Sequence, residues 1–197
     1  MDVKSSVLRP QTLTQLLKDG LVREGHFQYR SGRHSGVILD RDRLLADPQS
    51  ASRMGYALAK AFFTDKIDTV ASPSTWGAGL AQWVAYFLEP RAKVVYATPM
   101  PDGSLTVANN LLDLIEDKRV LLVDNVILSG ETMLAFDKHV QSIGGNVLGI
   151  GALWIGGAVP NHPGDVVGLL NDRYPSYAPE DCPLCKDGHD TIETIPF

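Results

Sequence analysis

Residues 118–133 read KRVLLVDNVILSGETM, and what this stretch builds decides what the rest of the chain can be. Val120, Leu121, Leu122 and Val123 are apolar without alternation, which predicts a strand covered on both faces. Asp124 and Asn125 follow where that strand runs out. Leu128, Ser129, Gly130, Glu131 and Thr132 must then turn the chain and open a helix. The first N–H groups of such a helix have no partner within it, and its dipole adds partial positive charge there. Together these attract a phosphate monoester. The Ser129 and Thr132 hydroxyls can donate to phosphate oxygens, Gly130 permits close approach, and Asp124 and Asn125 can reach the hydroxyls of an attached ribose. For the stretch taken alone, a water-facing strand-to-helix turn is the alternative.

The same alternation continues on both sides. DTVAS (68–72), KVVYA (93–97), RVLLVDNV (119–126) and NVLGIGALWI (146–155) read as strands. Between them, GAGLAQWVAYFL (77–88) and GETMLAFDKHVQSIG (130–144) read as helices. That order predicts an α/β fold with a parallel sheet core flanked by helices, its ligand at the carboxyl ends of the strands where the strand order switches. Upstream, Leu13, Leu16 and Leu17 share one face of a predicted helix over 11–24, with Gly20 ending it. GHFQYRSGRHSGVILD (25–40) predicts a short hairpin or strand-loop-strand, LDRDRLL (39–45) a solvated loop with local ion pairs, and 48–64 a helix opened by Pro48. From Gly156 onward the density of Pro and Gly predicts loop or cap rather than core.

With 197 residues, 44% of them hydrophobic, the chain can bury one substantial core. One domain is expected, with a hood over about 11–47, a core over about 48–155 and a cap over about 156–197. The net charge of −5 and the scattered Lys and Arg residues give no track for a nucleic-acid backbone. No apolar run reaches the ~18 residues that span a bilayer, and the N-terminus does not read as a signal peptide. Cys182 and Cys185 stand too close together to staple a secreted fold. A cytoplasmic protein is expected.

The opening stretch resembles the phosphoribosyl-pyrophosphate signature of type I phosphoribosyltransferases. It matches at Val120–Val123, Asp124, Val126, Ile127, Ser129, Gly130 and Thr132, and departs at Asn125 (usually a carboxylate) and Leu128 (commonly Thr). Three further segments are similar to orotate phosphoribosyltransferases: the hood GHFQYRSGRHSGVILD, the loop TVASPSTWGAG and the tail YPSYAPEDCPLC. The likeness runs over roughly residues 12 to 189. It implies an enzyme of nucleotide metabolism, in pyrimidine biosynthesis, that moves ribose 5-phosphate from phosphoribosyl pyrophosphate to a nitrogen base and releases pyrophosphate. It further implies Mg²⁺ as cofactor and a homodimer. By the same resemblance Asp124, Asn125 and Arg30 are catalytic, and Asp124 to Thr132 bind the phosphoribosyl group. Ser72, Pro73, Ser74, Thr75, Trp76 and Gly77 face the pyrophosphate, while Phe27 and Trp154 contact the base.

Several family cations are missing. The pyrophosphate loop lacks its Lys, residues 94–110 contain no Lys, Arg or His, and Trp154 stands near the family's Asp-Arg pair. Each lost charge-assisted contact is worth about 2–4 kcal/mol in a transition state. A catalytically weak nucleotide or phosphoribosyl sensor on the same fold is therefore the second expectation. Cys182, Cys185 and His189 space like half of a zinc site, with His162 or His34 as a further ligand, though a tight turn closing the cap is the favoured reading. His26 and His34 read as structural histidines, and His139 as a surface residue. Trp83 and Phe87 read as core or dimer contacts.

Overall fold

The strand at the centre of the molecule is β6, Arg119–Ile127, and its Val120–Val123 segment is buried throughout. The computed structural model describes residues 20–155, 161–170, 175–188 and 192–195. The helix expected from residue 11 therefore lies largely outside the described residues. Gly20, expected to end it, has φ +66°, and the chain then enters β1, Val22–Gln28.

Six strands form the core sheet in the order β5-β4-β3-β6-β7-β8. They are β3 (Thr69–Ser72), β4 (Lys93–Pro99), β5 (Leu105–Val107), β6, β7 (Asn146–Ile155) and β8 (Asp165–Gly168). Every pair is parallel except β4 with β5. From β3 the chain moves outward to β4 and later returns to place β6 on the other side of β3. The carboxyl ends of β3 and β6 thus diverge into a crevice. β8 is a correction to the sequence reading: residues after 156 are not all loop, because Val166 and Val167 are buried and pair with Ile150 and Gly151. Four residues flanked by Pro and Gly carry too little pattern to announce a strand.

The helices are placed by local chemistry. α2, Pro48–Ala61, opens with Pro in its first turn and with the Asp47 carboxylate accepting from the N–H groups of Gln49 and Ser50. Its buried face of Ala51, Met54, Gly55, Leu58 and Ala59 follows the helical period. α3, Thr75–Phe87, and α4, Glu131–Ser142, cover the sheet. The stretch 39–45 is not a solvated loop. Asp40 accepts from the Arg43 N–H and caps a short helix, α1 (Arg41–Ala46), in which Arg41 and Leu44 are buried.

A second sheet, β10-β1-β2-β9, makes the hood. β1 and β2 (His34–Leu39) form the expected antiparallel hairpin, flanked by β9 (Ser176–Tyr177) and β10 (Glu193–Thr194) from the C-terminal segment. Leu21, Phe27, Tyr29 and Ile38 of the hood share one hydrophobic cluster with Leu58, Phe62 and Leu121 of the core. Among the described residues no helix is long and apolar enough to cross a membrane.

At the amino ends of β3 and β6, the Asp68 carboxylate receives the Arg119 backbone N–H at 3.0 Å, Nε at 2.9 Å and Nη2 at 2.8 Å. These donors hold the Asp68 pKa down to about 2. A depressed carboxylate stabilises the fold above its unfolded pKa, and that contribution is lost as pH falls through about 2. The pair is partly open to water, with side-chain exposures of 41% and 33%, so its worth is discounted. Asp68→Asn is expected to lower unfolding stability by about 1 kcal/mol at pH 7. Denaturant melts at pH 7 and pH 2 check this, the difference vanishing at the lower pH.

Candidate functional site

A cavity of about 190 Å³ opens at the carboxyl end of β6. Asp124, residues 126–130, Thr132 and Met133 line it, and Ser31 reaches in from the hood. The strand-to-helix stretch around Gly130 is therefore the wall of a pocket as well as a turn. The strand continues to Ile127 with alternating burial, half-buried Asp124 and Val126 on one side and buried Asn125 and Ile127 on the other. Gly130, at the mouth of α4, has φ +79°, a conformation that other residues rarely adopt. That helix has no side-chain cap from its N-cap residue, and the Ser129 hydroxyl accepts the Glu131 N–H at 3.4 Å. Glu131 itself is exposed and does not line the cavity.

Asp124 sits where β6 meets α3. Its Oδ1 accepts the Asn125 backbone N–H at 2.7 Å. Burial pushes the Asp124 pKa up to about 6, opposed by that N–H and by the charge of Arg41. An acid under such tension is released by an incoming positive charge or hydrogen-bond donor.

Asn125 differs from expectation. Its side chain is buried and donates from Nδ2 to the Trp76 carbonyl at 2.7 Å. Strand alternation turns it away from the cavity, so it braces the loop instead of reaching toward the sugar. That loop, Ser72 to Gly77, runs from the end of β3 into the first turn of α3, which begins two residues earlier than the sequence reading placed it. Ser72 donates to the Ser74 carbonyl at 3.0 Å, Thr75 and Trp76 are exposed, and Gly77 packs against Asp124.

The two residues assigned to the base are corrected. Phe27 and Trp154, each 2% exposed, belong to the central hydrophobic cluster. Trp154 lies against Tyr29 with ring centroids 6.1 Å apart, on a strand buried over nearly its whole length. Periodicity cannot separate an aromatic in a doubly covered strand from one in a pocket. Arg30 is exposed in the hairpin turn beside Ser31. Cys182 and Cys185 do not line the cavity, and His189 lies outside the described residues. His162 faces Asp137 at 3.9 Å and accepts the Gly164 N–H. Trp83 and Phe87 stack with each other and meet Tyr86 on the partly open face of α3.

The candidate site residue that the sequence reading passed over is Arg41. Its guanidinium lies 4.9 Å from the centroid of the Trp76 ring, and its charge reaches Asp124. Burial lowers the Arg41 pKa, while Asp42 and Asp124 pull it back up. A cation thus stands between the loop 72–77 and the Asp124 carboxylate, where the loop itself carries none. Its sequence surroundings, DRDR, give every sign of a water-exposed turn.

The chain matches the phosphoribosyl transferase domain over residues 40–172, from Asp40 before α1 to just beyond β8. It is 31% identical over 188 residues to an orotate phosphoribosyltransferase of Sulfurimonas denitrificans, covering 86% of this chain and 90% of that protein. To the orotate phosphoribosyltransferase of Thermus thermophilus it is 34% identical over 177 residues, covering 87% and 92%. Among solved structures, orotate phosphoribosyltransferase from Aeropyrum pernix shares the fold with TM-score 0.62 at 24% identity, over 81% of this chain and 93% of that one. The Mycobacterium tuberculosis orotate phosphoribosyltransferase in complex with 5-phospho-α-D-ribosyl 1-diphosphate follows at TM-score 0.55 and 16% identity, over 68% and 80%. A family match over most of the core sheet, joined to near full-length relatives above 30% identity, makes this chain a member of the phosphoribosyl transferase family.

Proposed function

We propose that this phosphoribosyltransferase transfers ribose 5-phosphate from phosphoribosyl pyrophosphate to orotate, in one domain with its hood and cap. The observation that carries the reading is the cavity at the end of β6, which joins one carboxylate, two hydroxyls and a helix amino terminus in a single wall. The 5′-phosphate sits against the α4 amino terminus, taking donors from Ser129 and Thr132 and from the uncapped N–H groups. Asp124 accepts from the ribose hydroxyls and, as a carboxylate, favours the positive charge that develops at C1 when the bond to pyrophosphate breaks. Arg41 faces the departing pyrophosphate, supplying the charge that the loop 72–77 lacks. Trp76, 57% exposed, holds the guanidinium in place.

Mg²⁺ fits this donor set, since a hard cation takes one or two carboxylates and completes its shell with substrate oxygens, and Asp124 is a carboxylate that gains by meeting a cation. When bound, held by Asp124 and the substrate, the ion adds positive charge beside the leaving group. The exposed aromatic face of Tyr56, Phe63 and Tyr86 supports a homodimer. Two cysteines close in space that form no disulfide support a reducing, cytoplasmic setting. A silent sensor is the less supported reading, because each relative named above bears the name of a transferase.

Orotate-dependent pyrophosphate release, measured with Mg²⁺ and phosphoribosyl pyrophosphate, is the direct test. Release with a different base and none with orotate would replace the acceptor. An unchanged melting temperature at millimolar phosphoribosyl pyrophosphate with Mg²⁺ would sink the reading as a whole. Arg41→Gln is expected to lower kcat/KM by about 10²-fold, the effect of one lost charge-assisted contact. Steady-state kinetics that move by less than threefold would remove Arg41 from the mechanism.

A further inference from the structure

Four side chains far apart in sequence converge beneath the hood. His26 comes from β1 and His34 from β2, while Cys182 immediately precedes α5, Pro183–Lys186, and Cys185 lies within it. One atom of each lies within 4.8 Å of all the others. His26 Nε2 stands 3.1 Å from His34 Nδ1, 3.5 Å from Cys182 Sγ and 3.6 Å from Cys185 Sγ, and His34 Nδ1 stands 3.2 Å from Cys185 Sγ.

Hydrogen bonding alone does not account for this geometry. A ring nitrogen carries one proton or one lone pair, so His26 Nε2 can satisfy one of its three close neighbours and not all three. A tetrahedral ion does account for it. With Zn–N of about 2.0–2.1 Å and Zn–S of about 2.3 Å, such an ion spaces two nitrogens about 3.3 Å apart and a nitrogen and a sulfur about 3.6 Å apart.

The backbone is shaped for the same end. Between the pairs Glu24–Val37 and Phe27–Ser35 the register shifts, so Gly25 and His26 stand opposite Gly36 alone. Such a bulge re-aims a side chain. On the other side, Lys186 N–H bonds to the Cys182 carbonyl and Gly188 N–H to the Cys185 carbonyl, curling the Cys-x-x-Cys segment around a common centre. Cys182, His26 and His34 are buried, and Cys185 closes the group from the solvent side.

We infer that His26, His34, Cys182 and Cys185 form a structural zinc site that clamps the hood hairpin to the C-terminal cap. Two thiolates and two imidazoles in a closed tetrahedral set suit zinc, and with four protein ligands no position is left for catalysis. The clamp grips the hairpin below the turn that carries Ser31 into the cavity. Of the ligands that spacing offered it keeps Cys182, Cys185 and His34, adds His26 and leaves out His189 and His162, where the sequence favoured a tight turn closing the cap.

Metal analysis of the full-length protein, purified without chelator and reconstituted with zinc, tests this directly. About one zinc per chain is expected, as is a thiolate-to-metal absorption band with tetrahedral d–d bands when Co²⁺ replaces it. Chelation is expected to lower the melting temperature by on the order of 10 °C. Cys185→Ser, at the rim where folding is least at risk, is expected to weaken zinc binding by at least about 100-fold, and His189→Ala to leave it unchanged. The inference is overturned by a zinc content below about 0.2 per chain without a cobalt–thiolate band. It is equally overturned by a native Cys182–Cys185 disulfide in the mass spectrum, or by loss of zinc in His189→Ala.

Discussion

Asp124→Asn is expected to give an enzyme at least about 10²-fold less active that nevertheless melts higher than the parent at pH 8. The two effects share one cause. The Asp124 pKa stands at about 6, up from 3.8, chiefly through burial. A raised carboxyl stabilises the fold fully below its unfolded pKa, and that contribution is lost as pH rises through the folded value, here between about 4 and about 6. At pH 8 the buried charge therefore costs the free protein at most about 3 kcal/mol, at 1.36 kcal/mol per unit. Asparagine carries no such cost, so the stability difference peaks above pH 6 and closes near pH 4. In the proposed transfer the same charge faces a positive centre in the transition state and is worth about 2–4 kcal/mol. Paired thermal melts and kinetics between pH 4 and 8 check both halves. A variant less stable than the parent at pH 8 would show that the carboxylate is held by a partner, not strained. For the parent, affinity for phosphoribosyl pyrophosphate with Mg²⁺ is expected to fall about tenfold per unit below pH 6.

The second large effect comes from a pair of glycines two positions apart in α3. At Gly77 a Cβ would stand 2.2 Å from Ser72 Oγ, 3.0 Å from Asp124 Oδ1 and 3.3 Å from the Val123 carbonyl oxygen. Ser72 cannot simply swing aside, because its hydroxyl is bonded to the Ser74 carbonyl. At Gly79 the nearest atom is Leu45 Cδ1 at 3.6 Å, an ordinary contact. Gly77→Ala is expected to cost about 2–3 kcal/mol of stability through overpacking and to abolish measurable substrate binding. Gly79→Ala is expected to be neutral or to add up to about 1 kcal/mol through helix propensity. Urea denaturation of both variants, with ligand-induced thermal shifts, distinguishes them; equal behaviour would show that α3 can move away from the strand ends.

The core of this fold was legible because its signals are local. Unbroken apolar runs such as Val120–Val123 and the helical spacing of Met54, Leu58 and Ala61 need no knowledge of what lies opposite. The turn at Gly130 was legible for the same reason. What failed depended on partners distant in sequence. Phe27 and Trp154 looked like pocket aromatics because nothing in their neighbourhood says which pleat faces meet. Arg41 looked solvated because its neighbours are charged, yet Trp76 and Asp124 make it part of the site. The cysteines advertised half of a metal set, but the histidines that complete it come from the other end of the chain, His26 being 156 positions from Cys182.

Asn125 has a further consequence for how this sequence can change. The family usually carries a second acid at this position, but here the side-chain nitrogen faces the Trp76 carbonyl oxygen across 2.7 Å. Restoring the acid alone would press two electron-rich oxygens together in a dry crevice. Asparagine at 125 and the conformation of residues 72–77 are thus locked to each other, and a carboxylate enters here only if the Trp76 carbonyl turns away in the same step.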